Sequence, residues 1–418
     1  MSGTGIRLFA AFAAAASLLL TGCSVPGHPR PATPDLTALD VGPYSTEPLG
    51  AAPVGTEADG RILESVRMGE AVIDPIEADP TLVYGLGSNP SVPIPSAEKA
   101  VYLAAPGRAV LAKYGMLAGF SVGGADSEIE PSVAVGHARL LTVMIIRFSD
   151  ATRAQRAAAE IDAVDAAVSP DNVAVSIPDH RDAHAHWRPT VPTLAATEAQ
   201  DAYVVTVLAG YPTTDPGALT GLARNALTAQ ATRLRDFKPT PVGAFAALPL
   251  DTDGMLARML PEAPGVWPRP AVIALNVTAN AGWTAKLFPY GLVYGPRAAH
   301  RWGGWKKGDP DPDGGHTIIA VRGYDILVRF KSPAAARKEF TDTADEAKES
   351  GMRVAPTPAG IPDVRCLEGV NDSRYAVRFA CRALYGAYDV QTYSRSLADA
   401  QHRIAAQYAL LVRAESDR

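Results

Sequence analysis

The densest group of metal-ligating side chains is D-H-R-D-A-H-A-H, which places His180, His184 and His186 among two carboxylates. Imidazoles and carboxylates together suit zinc or copper, and on a strand His184 and His186 would share a face. Arg181 and Arg188 oppose a cation there, and Pro178 and Pro189 bound a run without periodicity, so a solvated loop is expected instead. A second group is G-x-S-x-G around Ser121, the pattern of a nucleophile elbow. An envelope serine hydrolase or esterase would use Ser121 with a later carboxylate and His300, His316 or His402. The residues that follow, A-D-S-E-I-E-P, make a polar loop where the elbow needs a helix, so this is the alternative reading. Asp309, Asp311 and Asp313 have the spacing of the first half of a calcium loop, but Ala320 stands where the bidentate Glu belongs. No metal and no cofactor is expected. The best binding surface is aromatic: Trp283, Tyr290, Tyr294, Trp302 and Trp305 beside glycines can stack on sugar rings or pack a core.

The strongest motif concerns location. One positive residue, Arg7, precedes an uncharged Leu8 to Leu20, and the run ends in L-T-G-C at Cys23. That is a secretory signal, too short to span a bilayer. It resembles the bacterial lipobox, which implies acylation of Cys23 after cleavage before it. Two or more acyl chains anchor stably where one does not. The expected place is therefore the extracytoplasmic face of the cell membrane. Ser24 to Asp35 then reads as a proline-rich tether.

Composition is globular, with 47% hydrophobic and 20% charged residues. A net charge of −5 without a basic stripe excludes nucleic acid as a partner. Lipidation uses one of three cysteines and leaves Cys366 and Cys381, an even pair in an oxidising compartment. A disulfide closing that loop would contribute about 3 kcal/mol in the chain-entropy model.

Elements that would position any site occur twice. Leu141 to Phe148 reads as a strand entering a helix from Asp150 to Ala167; Tyr324 to Phe330 reads likewise, with Ser332-Pro333 opening a helix to Ser350. Tyr203 to Tyr211 and Tyr385 to Tyr393 each read as a strand before a closing helix. Asp59-Gly60 and Asp253-Gly254 open similar apolar patterns, and Arg147/Arg329 and Tyr211/Tyr393 share an offset of 182 residues. Tyr102 to Phe120 and Ala271 to Tyr294 are expected as helix plus strand. The order implies an α+β fold of two related lobes by internal duplication. Each lobe has a small, mostly antiparallel sheet covered on one face by two helices, of ferredoxin-like type. Boundaries fall at residues 1–22 (signal), 23–36 (lipidated Cys and tether), 37–238 and 239–418 (the lobes).

The lipobox, the proline-rich tether, the Asp59-Gly60-Arg61-Ile62-Leu63 segment and the C-terminal Cys pair before Gln407-Tyr408-Ala409-Leu410-Leu411 are similar to a family of envelope lipoproteins. The family belongs to mycolic-acid-bearing actinobacteria and has no defined activity, so the resemblance implies a location and carries over no catalytic residue. The expected role is non-enzymatic binding of an envelope lipid, glycan or protein partner, with the membrane contacted through the lipid anchor.

Overall fold

The run L-L-T-V-M-I-I-R, residues 140–147, is buried along its whole length, which marks a strand covered on both faces. The computed structural model describes residues 35–86, 91–128, 135–276, 285–302, 316–349, 352–369 and 378–416. The lipobox with Cys23, the tether up to residue 34, Trp283, Trp305 and the Asp309/Asp311/Asp313 loop lie outside the described residues.

The first lobe runs α1 (Glu57–Met68), α2 (Pro75–Ala78), β1 (Tyr84–Gly85), β2 (Val92–Pro93), α3 (Ala105–Tyr114), β3 (Ala118–Ala125), β4 (Leu140–Arg147), α4 (Ala151–Ala166), β5 (Val173–Ala174), β6 (His184–Trp187), β7 (Thr193–Gln200), β8 (Tyr203–Gly210) and α5 (Pro216–Asp236). The second runs β9 (Ala271–Asn276), β10 (Ala285–Tyr294), α6 (Pro296–His300), β11 (His316–Arg322), β12 (Asp325–Phe330), α7 (Pro333–Glu349), β13 (Arg353–Ala355), β14 (Val364–Glu368), β15 (Phe379–Tyr385), β16 (Tyr388–Ser394) and α8 (Leu397–Ser416). The protein is α+β, with two eight-stranded antiparallel sheets covered by helices. Strand order β3-β4-β8-β7-β6-β5 in one recurs as β11-β12-β16-β15-β14-β13 in the other. This is the two-lobe repeat expected from the sequence.

Three details differ from the expectation. The two helices of each lobe take opposite faces instead of sharing one. On β4, Leu141, Val143 and Ile145 point into the core shared with α5, while Met144 and Ile146 pack with Ala154, Ala158 and Ile161 of α4. In the second lobe Leu327 and Val390 face Ile404 and Leu411 of α8, and Phe330 and Leu384 face Ala336 of α7. The described residues of Ala271 to Tyr294 form two paired strands, with no helix among them. Tyr385 to Tyr393 is broken by a two-residue turn at Gly386-Ala387, because Gly386 adopts φ 57°. The equivalent turn at Asp201-Ala202 has Asp201 at φ 50°, a conformation Asp tolerates better than most side chains.

Caps follow the sequence chemistry. Thr56 and Asp59 form a capping box at α1, Asp150 accepts from the Arg153 amide at 2.8 Å, and Ser332 Oγ accepts from Ala335 at 3.1 Å. Gly60 has a packing reason, since a Cβ there would fall 2.1 Å from the Phe245 carbonyl oxygen. Asp253-Gly254 is a different structure, a 3-10 turn with positive φ at both residues.

A repeated device ties each closing helix to the backbone before its sheet. Gln230 of α5 is fully buried; its Oε1 accepts from the Ile73 amide at 3.1 Å and its Nε2 donates to the Ala71 carbonyl at 2.7 Å. Gln407 of α8 does the same to Leu260 and Arg258, at 2.6 Å each. Cys366 and Cys381 sit directly opposite on β14 and β15 and are joined as a disulfide.

The lobes share one core. Leu63, Val66 and Met68 of α1 pack in the same cluster as Leu287, Leu292, Tyr294 and Val321 of the second sheet. Leu36 to Gly50 crosses the second lobe as a strap. Leu39 enters that lobe's core, the Tyr44 hydroxyl donates to Asp399 at 2.6 Å, and the Leu49 amide donates to the Ala257 carbonyl at 3.2 Å.

Candidate functional site

Helix α5 buries Leu219, Leu222, Ala223, Ala226, Leu227, Gln230 and Leu234 on one stripe and leaves Arg224, Asn225, Thr228, Thr232 and Arg233 on another. That second stripe forms a wall of a groove of about 910 Å³. Glu70 and Ala71, Glu77 and Ala78 of α2, and Asp179 supply the other walls, with Phe237 at the helix end. Both charge signs, hydroxyls and an amide meet a few small apolar surfaces there.

The groove abuts an ionic latch between the lobes. Arg301 is 1% exposed; its Nε donates to Asp74 at 2.5 Å and its guanidinium also donates to the Gly69 and Val72 carbonyls. Glu70 accepts from the amides of Arg297 and Ala298, at 3.1 and 3.0 Å. Glu77 joins Arg233 of α5 to Arg297 of the second lobe. Burial alone would raise the Asp74 carboxyl, but Arg301, then Arg297 and His300, overcome this and hold it below the usual range.

The three histidines are not brought together. His180 follows a turn closed by Asp179 at φ 66° and reaches to the α5 side of the sheet. Its Nδ1 lies 3.0 Å from Glu198 of β7 and its Nε2 2.9 Å from the Thr228 hydroxyl. His184 is exposed, and His186 lies on the other sheet face against α4, 2.7 Å from Asp162 and 3.4 Å from Asp165. Among the described residues there is no group of three or more metal-ligating side chains able to hold an ion. Hydrogen bonds that the charged ring donates to Asp162 and Asp165 push the His186 pKa up to about 9. A raised value favours the folded state fully below the unfolded value near 6.5, and the contribution is lost as pH rises through 9. NMR titration should therefore find His186 charged at neutral pH, and stability should fall between pH 6.5 and 9 in the native chain but not in His186→Asn.

Ser121 sits in the middle of β3, fully buried and paired with Met144 and Val92, so no elbow exists there. Gly119 is small for packing, since a Cβ would meet the Ile145 carbonyl oxygen at 2.8 Å. His402 is spent on Asp40 at 3.2 Å, and His300 closes α6. Of the aromatic candidates, Tyr294 is core and stacks on Trp302 at 5.6 Å. Burial and a bond to Glu262 push the Tyr290 hydroxyl up to about 12. The described aromatics thus support the second lobe rather than an open surface.

Thr228, Glu198, Arg224 and Arg301 were missed by pattern reading. The one available signal was a polar residue, Gln230, inside an apolar helical stripe. Among the described residues no helix is long and apolar enough to cross a membrane.

No curated protein matches the chain. The extracellular domain of PknH from Mycobacterium tuberculosis is similar over 40% of this chain and 94% of its own, at 10% identity and a TM-score of 0.27. Residues 51–250 match the N-terminal part of DUF7373, a domain of unknown function, and residues 255–414 match its C-terminal part. The two matches follow one another over most of the sequence, and the chain belongs to the DUF7373 family.

Proposed function

We propose that this chain is a lipid-anchored extracytoplasmic protein that binds a glycan of the cell envelope in the groove along α5. The anchor rests on the L-T-G-C run at Cys23 and on the likeness to actinobacterial envelope lipoproteins. The observation that carries the binding reading is the groove's lining. Arg224, Asn225, Thr228, Thr232 and Asp236 alternate donors and acceptors, and Ala71, Ala229 and Phe237 offer small apolar contacts. Hydroxyl-rich ligands are recognised by such mixed surfaces, where a few placed polar groups fix orientation. In the same groove, Glu70 and Glu77 are already engaged by Arg297 of the second lobe.

Native mass spectrometry of the chain extracted from its own envelope should show a co-purifying glycan mass. Glycan fragments released from that envelope should bind the native chain, and Arg224→Ala with Asn225→Ala should weaken binding by about tenfold or more, the loss of a charged hydrogen bond. A bare protein mass together with unchanged affinity in the double variant would refute the groove. In the same cells Cys23→Ser should leave the membrane fraction; retention there would refute the anchor.

A further inference from the structure

We propose that the α5 groove is also an acyl-transfer centre, with Thr228 as nucleophile, His180 as general base and Glu198 orienting the imidazole. The proposal rests on the groove being a binding site. Glu198 can only accept, so the proton sits on His180 Nδ1 at 3.0 Å and the Nε2 lone pair accepts from the Thr228 hydroxyl at 2.9 Å. Nucleophile, base and orienting carboxylate within hydrogen-bond reach form the arrangement that activates a hydroxyl. Gln200 Nε2 donates to Glu198 at 3.0 Å and fixes the carboxylate, and the imidazole and the carboxylate are each 11% exposed. Thr228 lines the groove.

The behaviour of the other α5 threonines sharpens the assignment. Thr220 and Thr232 turn their hydroxyls back to carbonyls one turn earlier, on Pro216 at 2.8 Å and Thr228 at 3.2 Å, as helical threonines commonly do. Thr228 instead gives its hydroxyl to His180. Arg224, one turn before Thr228 on the same face, lines the same groove with its guanidinium on Asn225 Oδ1, and it would turn from that amide to a developing oxyanion.

The substrate class is an ester of a small acyl group on a hydroxylated alcohol, such as an acylated glycan. Thr228 Oγ1 bonds to the carbonyl carbon as its proton passes to His180 Nε2. Collapse of the tetrahedral adduct breaks the carbon–oxygen bond to the alcohol, which takes that proton. Water then attacks the acyl-Thr228 ester, gives its proton to Nε2, and releases the carboxylic acid as Thr228 recovers its hydroxyl.

The test uses the full chain in detergent with p-nitrophenyl acetate. A burst of nitrophenol with an acetyl group mapped to Thr228 is expected. Thr228→Val should abolish the adduct, Thr228→Ser should keep it, and His180→Gln should slow acylation by about 10²-fold or more. Thermal unfolding of each variant separates loss of chemistry from loss of fold. Absence of an acetyl group on Thr228 in a native chain that still binds the envelope glycan fragments would overturn the proposal and leave glycan binding standing. A native chain that acquires the acetyl group but binds no glycan would keep the nucleophile and remove the glycan.

Discussion

Arg301→Ala should destabilise the protein by about 3–5 kcal/mol, the cost of breaking a buried ion pair from one side. Arg301 is 1% exposed and satisfies three acceptors at once, Asp74, Gly69 and Val72, all in the other lobe. Removing it leaves the Asp74 carboxylate buried with Arg297 at 3.5 Å and the field of His300, and takes the guanidinium donor from two carbonyls. Lysine should recover little, since one ammonium cannot span the three directions of the planar fork. Denaturant unfolding checks the magnitude, and a loss below about 1 kcal/mol would mean the latch is incidental. The acid limb gives a second readout. Asp74 is held below its ordinary value of 3.8, so its contribution is present above that value and lost as pH falls through the folded one. Native chain should lose stability steeply in that window, and Arg301→Ala should not.

Glu64→Ala should cost a similar 3–5 kcal/mol by the same principle. Glu64 is fully buried, 2.6 Å from Arg147 and 2.5 Å from Arg67, and it accepts from the amide and hydroxyl of Thr240 at 3.0 and 2.8 Å. Its loss strands the Arg147 guanidinium, whose side chain is 9% exposed, over the Phe245 ring. Replacing both partners, Glu64→Leu with Arg147→Met, should be milder than either single change, because no charge is then left buried alone. Proteolysis should follow the single variant at Lys238, where the carbonyl is held by Arg67. A double variant worse than the sum of its parts would reverse the assignment.

Local signals made the strand–helix order readable. The β4 run, the Ser332-Pro333 start and the Cys366/Cys381 pair each carry their chemistry within a few residues. Matching by residue type alone misled in one place. Tyr211 and Tyr393 share an offset with Arg147 and Arg329, but register pairs Arg147 with Tyr203 and Arg329 with Tyr388. The repeat gains three residues between helix and hairpin, which residue type alone does not report. The Thr228 cluster was illegible for a different reason. His180, Glu198 and Thr228 come from a loop, a strand and a helix, Glu198 lying 18 and Thr228 48 residues after His180. Only sheet register and the choice of face for α5 bring them together. The expectation of two helices on one face did not assign α5 a face of its own, opposite α4.

The strap over the second lobe sets a path for mechanical load. Tension on the chain ahead of residue 36 reaches α8 first, through Asp40 on His402, Tyr44 on Asp399 and Glu47 on Arg413. The first lobe, with its groove, lies further along the chain and feels the pull only after those contacts part. Leu39 in the second lobe's core and the Leu49 amide on the Ala257 carbonyl back up those exposed pairs, so a pull must strip buried apolar surface and a backbone hydrogen bond before the strap leaves α8.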